Sequence, residues 1–246
     1  MRYPIVFWDS GGTIFHSHDR PEGFADGPPP SEIHKNRSFR AERALEMFGH
    51  EPPANLPQLI DGLEIDLRAR HGARYSLEVL AGGLYNHLGM ARRREETLLL
   101  ADAIGGPRYR AWLWDGVADA LEALHRSGVR MGVIADTDLT GRMMRGALAG
   151  VGLVDFFGPI ICSCDFGVQK PDGRIFATAL AALAPSEPAP GPVLYVGDNP
   201  AKDVEGATAY GWDAALHPTK PTVSHDKAVV EFSDYQDLVR LVLEEG

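Results

Sequence analysis

The sequence predicts an α/β fold whose parallel sheet is interrupted after its first strand by an all-helical insert. The chain opens with a short apolar run, Pro4–Trp8, that ends in a glycine turn. The segment 37–112 shows apolar residues at helical spacing and contains no good strand candidate. From Trp114 onward, short apolar runs alternate with amphipathic helices. Such alternation is typical of a parallel sheet with helices on both faces.

The strands are predicted from short apolar runs bounded by turn residues. After the first strand, the expected strands are Arg130–Ala135, Pro159–Cys162, Pro192–Val196 and Asp213–His217. The helices expected around them are Val117–His125, Gly141–Ala149, Asp172–Leu183, Lys202–Tyr210 and Tyr235–Leu243. Asp172 is placed to cap its helix, because a side-chain oxygen at that position accepts from a free backbone N–H.

The insert follows a polar loop, residues 16–36, that is rich in Pro, Gly and His. Its expected helices are Glu42–Phe48, Leu56–Arg70, Leu77–Leu88 and Glu95–Ile104. We therefore expect a core domain of residues 1–15 and 113–246, and a helical domain of residues 16–112.

Composition and charge restrict the classes of function. The chain has 246 residues, 44% of them hydrophobic, and a formal net charge of −10. This excess of negative charge disfavours nucleic acids and anionic membranes as partners. The N-terminal apolar run is short for a signal peptide, and no apolar stretch approaches membrane-spanning length, so we expect a cytoplasmic protein. Cys162 and Cys164 are expected to be buried thiols, since a disulfide between such close neighbours would be strained. The oligomeric state is left open.

Several polar residues follow the predicted strands, at the edge where parallel α/β sheets bind ligands. Asp9 follows the first strand, and Asp198 follows the strand Pro192–Val196. A strand-end aspartate is also a common cap or turn former, but both of these aspartates follow apolar strands directly. The other polar residues at this edge are Asp136, Thr137, Lys170 and Asp203.

Four stretches in order resemble the motifs of the haloacid dehalogenase-like (HAD-like) hydrolases. FWDSGGTIFHS resembles motif I, a strand followed by Asp-x-Asp-Gly-Thr, and RMGVIADTD occupies the place of motif II. VQKPDGRIF is similar to motif III, and VLYVGDNPAKDVEGATAYGW closely resembles motif IV. The resemblance extends over nearly the whole chain and implies a Rossmann-like core with a helical cap inserted after motif I.

The resemblance implies phosphatase-type chemistry on a small anionic, phosphorylated substrate. Asp9 is then the nucleophile that forms an aspartyl-phosphate. Mg²⁺ is implied as cofactor, because hard oxygen ligands suit it. Lys170 neutralises the transferring group and orients Asp9. The implied metal ligands are Asp9, the carbonyl of Gly11, and Asp198, with Asp203 behind them or bound through water; the implied substrate-binding residues are Gly12, Thr13, Asp136 and Thr137.

Gly11 departs from the family pattern. Phosphatases of this type carry aspartate there, because residues i and i+2 of an extended segment face the same side and one carboxylate protonates the leaving oxygen. Gly11 cannot donate a proton, and general acid catalysis contributes about 10²–10⁴-fold. His16 is a candidate replacement acid and His18 a weaker one, although both are also ordinary loop residues. Ala135 is a second departure, since the family places Ser or Thr there and only Thr137 could substitute.

These departures leave other functions open. A catalytically degenerate binding or regulatory protein would also tolerate Gly11 and Ala135. Phosphonoacetaldehyde hydrolases resemble this chain in having a small residue at the Gly11 position, and Lys35 would be their Schiff-base lysine. Dehalogenases lack the Gly-Asp of motif IV, which this chain keeps as Gly197-Asp198. Arginines of the insert could recognise an anionic substrate, although most are expected on solvated helix faces: Arg68, Arg70, Arg74, Arg92, Arg93 and Arg94.

Overall fold

The structure, a computed structural model, describes residues 1–16, 37–91, 93–185, 191–219 and 223–244. Within these residues the strands are β1 (Ile5–Trp8), β2 (Arg130–Ala135), β3 (Phe157–Cys162), β4 (Val193–Gly197), β5 (Asp213–Leu216) and β6 (Val230–Glu231). They form one sheet in the order β3-β2-β1-β4-β5-β6. Every neighbouring pair is parallel. The predicted α/β fold class with a parallel sheet is confirmed.

The α-helices of the described chain lie between β1 and β2 and after β2. The segment between β1 and β2 contains α1 (Arg37–Met47), α2 (Leu56–His71), α3 (Leu77–His87), α4 (Arg94–Gly105) and α5 (Val117–Arg126). After β2 come α6 (Gly141–Gly150), α7 (Ser163–Phe166), α8 (Gly173–Leu183), α9 (Glu205–Tyr210) and α10 (Tyr235–Leu243). Asp172 caps α8 as predicted, because its Oδ1 accepts from the backbone N of Arg174 at 2.9 Å.

The order of the strands determines where ligands meet the sheet. The chain passes from β1 to β2 and β3 on one side, then crosses to β4 on the other. Trp8 at the end of β1 lies in register with Val133 of β2 and with Val196 of β4. The loops after these central strands therefore emerge at one edge, at the switch point where α/β sheets bind ligands. All four side chains of β1 are fully buried, which holds the residue that follows it firmly.

The structure differs from the sequence-based expectations in several short elements. The predicted helix Lys202–Tyr210 is divided into a π-helical turn, Pro200–Val204, followed by α9. The elements of the described chain that were not predicted are α7 with four residues, β6 with two, and three 3-10 turns of three residues each. Such segments are too short to show periodicity. Cys162 and Cys164 are buried free thiols. Among the described residues, no helix is long and apolar enough to cross a bilayer.

Candidate active site

A buried cluster of charged side chains lies at this edge of the sheet. The Nζ of Lys170 is 2.7 Å from Asp9 Oδ1 and 2.7 Å from Asp203 Oδ1. It also donates to the hydroxyl of Tyr195 at 2.8 Å. Lys170 is 4% exposed and Asp203 is 1% exposed, so almost no water screens these contacts. All three ammonium protons thus have an acceptor, as a buried lysine requires.

Each member of the cluster is held by a different element. Lys170 lies in the loop between α7 and α8, where its backbone N donates to Asp136 Oδ1 at 3.0 Å. Tyr195 belongs to β4, and its hydroxyl donates to the carbonyl of Ile134 in β2 at 3.0 Å. Tyr195 therefore joins two strands and orients the lysine at the same time.

Asp203 shapes the loop that carries Asp198. Its Oδ2 accepts from the backbone N of Asp198 at 3.0 Å and from that of Asn199 at 2.8 Å. Gly197 makes this approach possible, since a Cβ at that position would lie 2.3 Å from Asp203 Cγ. Asp203 is thus bonded through both oxygens, which favours a structural role behind Asp9 and Asp198.

Gly12, in the loop after β1, allows a similar close approach of the backbone to a carboxylate. Its φ of +78° is a conformation that glycine adopts readily, and a Cβ there would lie 2.2 Å from Asp198 Oδ2. Its carbonyl accepts from Trp114 Nε1 at 3.0 Å and from His217 Nδ1 at 3.1 Å. Since a carbonyl only accepts, Nδ1 of His217 carries the proton. Burial lowers the pKa of His217, which favours the neutral imidazole.

Burial and neighbouring negative charges raise the pKa values of two carboxyl groups in the cluster. Burial raises the pKa of Asp9 to about 7, against the opposing attraction of Lys170. Burial, together with the charge of Asp203, raises the pKa of Asp198 to about 6. Burial alone would lower the pKa of Lys170, but the charges of Asp203 and Asp9 raise it well above its usual value. The lysine is therefore charged, and its ammonium group lies between Asp9 and Asp203.

The donor set fits a hard divalent cation. Carboxylate oxygens of Asp9, Asp198 and Asp203 all lie within 4.8 Å of one another. Oxygen ligands of this kind are those that Mg²⁺ prefers. A cation here would favour the ionised carboxylates and so oppose the burial and the repulsion that raise the pKa of Asp9 and of Asp198.

The cluster opens into a cavity of about 1230 Å³. Asp9, Gly11, Lys170 and Asp198 line it from the sheet edge. His16 lines it as well, with its ring centroid 3.9 Å from that of Trp114. The residues between β1 and β2 that line it further out are Arg37, Glu64, Arg68, Gly72, Ala73, Tyr75, Arg108 and Trp112.

Two of the four predicted substrate-binding residues line the cavity and two do not. Asp136 and Thr137 line the cavity, but Asp136 holds the Lys170 loop and Thr137 Oγ1 accepts from the backbone N of Leu139 at 3.1 Å. Thr13 is fully buried, and its carbonyl accepts from the hydroxyl of Tyr235. Neither Thr13 nor Gly12 is among the cavity-lining residues of the described chain. The substrate contacts of all four residues stay predictions. His18, Lys35 and Arg92, which the sequence analysis also named, lie outside the described residues.

Sequence reasoning missed four residues of this site. Tyr195 lies within an apolar strand, where the sequence pattern indicates only packing in the core. Trp114 and His217 are far in sequence from Gly12, the residue whose carbonyl they contact. Arg108 follows the last helix of the insert and lines the cavity. Their positions in the sequence could have pointed to two of them. Trp114 begins the segment in which strands and helices alternate, and His217 ends the predicted strand Asp213–His217.

Comparison with known proteins identifies the family of this chain. The family model described as haloacid dehalogenase-like hydrolase matches residues 3–211. The chain belongs to the haloacid dehalogenase-like hydrolase family. It is 36% identical over 137 residues to a phosphoserine phosphatase of Thermus thermophilus, a match that covers 53% of this chain and 52% of that protein. The chain spans about half the length of the curated relatives it matches, or less.

Solved structures show the same fold. A HAD phosphatase from Thermococcus onnurineus superposes with a TM-score of 0.60 at 18% identity, covering 100% of this chain and 99% of that one. A 2-haloacid dehalogenase from Pseudomonas syringae pv. Tomato DC3000 gives a TM-score of 0.63 at 19% identity, with 98% of each chain covered. At such identities the likeness concerns the fold alone, and the reaction must be argued from the site.

Gly12→Ala tests the close approach between the first loop and Asp198. The added Cβ would collide with the Asp198 carboxylate, so we expect the rise in melting temperature produced by Mg²⁺ to be lost. Gly128→Ala is the matched control, because Gly128 has a φ of +81° but no atom within 4 Å of its Cβ position. Both variants lose stability to the positive φ. Equal responses to Mg²⁺ in the two variants would contradict this role of Gly12.

Proposed function

We propose that this chain is a Mg²⁺-dependent phosphatase that acts on a small phosphorylated substrate through an aspartyl-phosphate on Asp9. One observation carries the proposal. A carboxylate at the end of the central strand is paired with a buried lysine and faces a cavity. An anionic nucleophile must approach an anionic phosphoryl group, and Lys170 supplies fixed positive charge where these charges meet. The phosphatase name of the Thermus relative supports the same reaction.

The reaction proceeds in two displacements at phosphorus. In the first, a carboxylate oxygen of Asp9 forms a bond to phosphorus while the bond to the ester oxygen breaks, and that oxygen leaves with the electron pair. In the second, water attacks the same phosphorus and the bond from phosphorus to Asp9 breaks, which releases inorganic phosphate and the free carboxylate. The proton that the water loses passes through solvent to the oxygen that left in the first step. Lys170 holds Asp9 through Oδ1, so Oδ2 is the oxygen proposed to attack phosphorus.

The metal site is proposed on Asp9 and Asp198, with the carbonyl of Gly11 as a further ligand. When bound, Mg²⁺ would supply positive charge to the phosphoryl oxygens. Asp203 holds the Asp198 loop in place through two backbone N–H groups. It also positions Lys170, so that one buried carboxylate organises both the metal ligand and the cation.

The insert is proposed as a cap, with the core as residues 1–15 and 113–246 and the cap as residues 16–112. The support is that Arg37, Glu64, Arg68 and Tyr75 line the same cavity as Asp9. A cap that closes over the substrate would exclude water from the aspartyl-phosphate.

Asp9→Asn tests the proposal directly. The amide is a poor nucleophile, so we expect turnover of aryl phosphates with Mg²⁺ to fall by at least about 10³-fold. Asp226→Asn is the control, because the Asp226 side chain is 94% exposed. Phosphate release that persists in Asp9→Asn would contradict the mechanism. Metal-independent halide release from a 2-haloacid by the wild-type protein would favour dehalogenation instead.

The missing acid at Gly11 predicts a preference for good leaving groups. We expect aryl and acyl phosphates to be hydrolysed well and alkyl phosphates poorly, unless His16 protonates the leaving oxygen. Gly11→Asp should raise alkyl phosphate turnover by about 10²–10⁴-fold. No atom lies within 4 Å of a Cβ at this position, so the variant has room for the side chain. Equal wild-type turnover of matched aryl and alkyl phosphates would argue against the preference, and His16→Gln would then show whether the imidazole replaces the acid.

The raised pKa values predict how Mg²⁺ binding depends on pH. In the metal-free protein Asp198 and Asp9 bind protons up to about pH 6 and about pH 7, above the ordinary value of 3.8. Their contribution to stability is therefore present at low pH and is lost as the pH rises through these values. Because Mg²⁺ binds the ionised carboxylates, its stabilising effect should be larger near pH 7.5 than near pH 5. Thermal unfolding with and without Mg²⁺ measures this, and a pH-independent shift would contradict it.

A further inference from the structure

Most of the positively charged side chains that line the cavity are paired with carboxylates. Lys170 and Lys202 lie beside carboxylates of the sheet edge, with Lys202 Nζ 3.1 Å from Asp136 Oδ2. Further out, Arg68 lies 2.7 Å from Glu64 Oε1 and 2.8 Å from Asp138 Oδ2. Arg37 shares the same two carboxylates, at 3.3 and 3.6 Å.

Arg108 is the exception among the cavity-lining cations of the described chain. No described carboxylate lies within ion-pair distance of its guanidinium. Its Nη1 donates to the carbonyl of Gly105 at 3.2 Å, and its Cζ lies 5.7 Å from the ring centroid of Trp112. A guanidinium has five N–H donors, so most of its capacity remains for a ligand.

The surroundings of Arg108 disfavour an isolated charge. The residue is half-buried, and burial lowers its pKa, with Arg37 and Arg40 adding repulsion. Asp138 opposes this shift, but its Oδ2 is already bonded to Arg68. A partly desolvated guanidinium that faces a cavity gains more from an incoming anion than a solvated one does.

We propose that Arg108 binds a second anionic group of the substrate, a carboxylate or a second phosphate, while Asp9 and Lys170 take the phosphoryl group that is transferred. The inference rests on the proposed function for the placement of that phosphoryl group. The planar guanidinium matches either anion through paired N–H donors. A cavity of about 1230 Å³ has room for a substrate that extends beyond its phosphoryl group.

Binding of uncleavable phosphonates tests the proposal without requiring turnover. The probes are 3-carboxybenzylphosphonate and its neutral counterpart 3-carbamoylbenzylphosphonate, titrated calorimetrically into the full chain with Mg²⁺. A third probe replaces the carboxylate with a second phosphonomethyl group. We expect the wild-type protein to prefer at least one anionic probe over the amide by about 10- to 100-fold, the range of a hydrogen bond to a charged group. The preferred probe identifies the second anion as carboxylate or phosphate.

Arg108→Gln should reduce this preference to about twofold or less, and Arg108→Lys should restore part of it, since charge returns without the planar fork. Arg110→Gln is the matched control. Arg110 donates to the carbonyl of Val151 at 3.1 Å, as Arg108 does to Gly105, but it does not line the cavity. It should keep the wild-type preference.

Two results would overturn the inference: a wild-type protein that binds all three probes equally, or an Arg108→Gln variant that keeps the preference. The proposed function fails separately. If aryl phosphates are not hydrolysed while the anionic probe still depends on Arg108, the inference on binding stands and the phosphatase proposal falls. If aryl phosphates are hydrolysed without any preference that depends on Arg108, the reverse holds.

Discussion

The contact on which the rest of the site depends is the buried ion cluster of Lys170 with Asp9 and Asp203. Charges at a few per cent exposure are stable only when they are paired and hydrogen-bonded, so this cluster requires both carboxylates and the tyrosine hydroxyl together. Loss of one partner would leave an uncompensated buried charge. The cluster also connects the loops after β1 and β4 with the loop before α8, which lie far apart in sequence. Electrostatics thus fixes the geometry of the site and prepares its chemistry.

Close approaches of the backbone complete that geometry. Gly12 and Gly197 each leave room for a carboxylate where any other residue would place a Cβ. The first loop is held from the opposite side by aromatic residues that donate to its carbonyls, Trp114 to Gly12 and Tyr235 to Thr13. Trp114 lies between α4 and α5. The loop that follows Asp9 is therefore coupled to the segment between α4 and α5.

Fold and family leave the reaction undecided, because this architecture superposes on both a phosphatase and a dehalogenase. The residues around Asp9 are what distinguish a phosphatase site from a dehalogenase site. The Gly197-Asp198 pair and its neighbouring carboxylates form a site suited to a cation, as a phosphatase requires. Gly11 leaves open space where the proposed mechanism would place a general acid, so that mechanism makes the leaving group the feature that limits the choice of substrate. Arginines between β1 and β2 line the same cavity, and Arg108 among them is proposed to bind a second anionic group of the substrate.

The sequence by itself determined the fold class, the family resemblance, and the placement of Asp9, Lys170 and Asp198 near one edge, because apolar runs and strand-end residues are local signals. It anticipated β1, β2 and most helices within a few residues. The pairing of Asp203 with Lys170, the part of Tyr195, and the different surroundings of Arg68 and Arg108 were decided only by the tertiary structure. The physical reason is that hydrogen bonds and desolvation depend on neighbours distant in sequence. An arginine looks alike in any sequence, and only its surroundings show whether its charge is already matched.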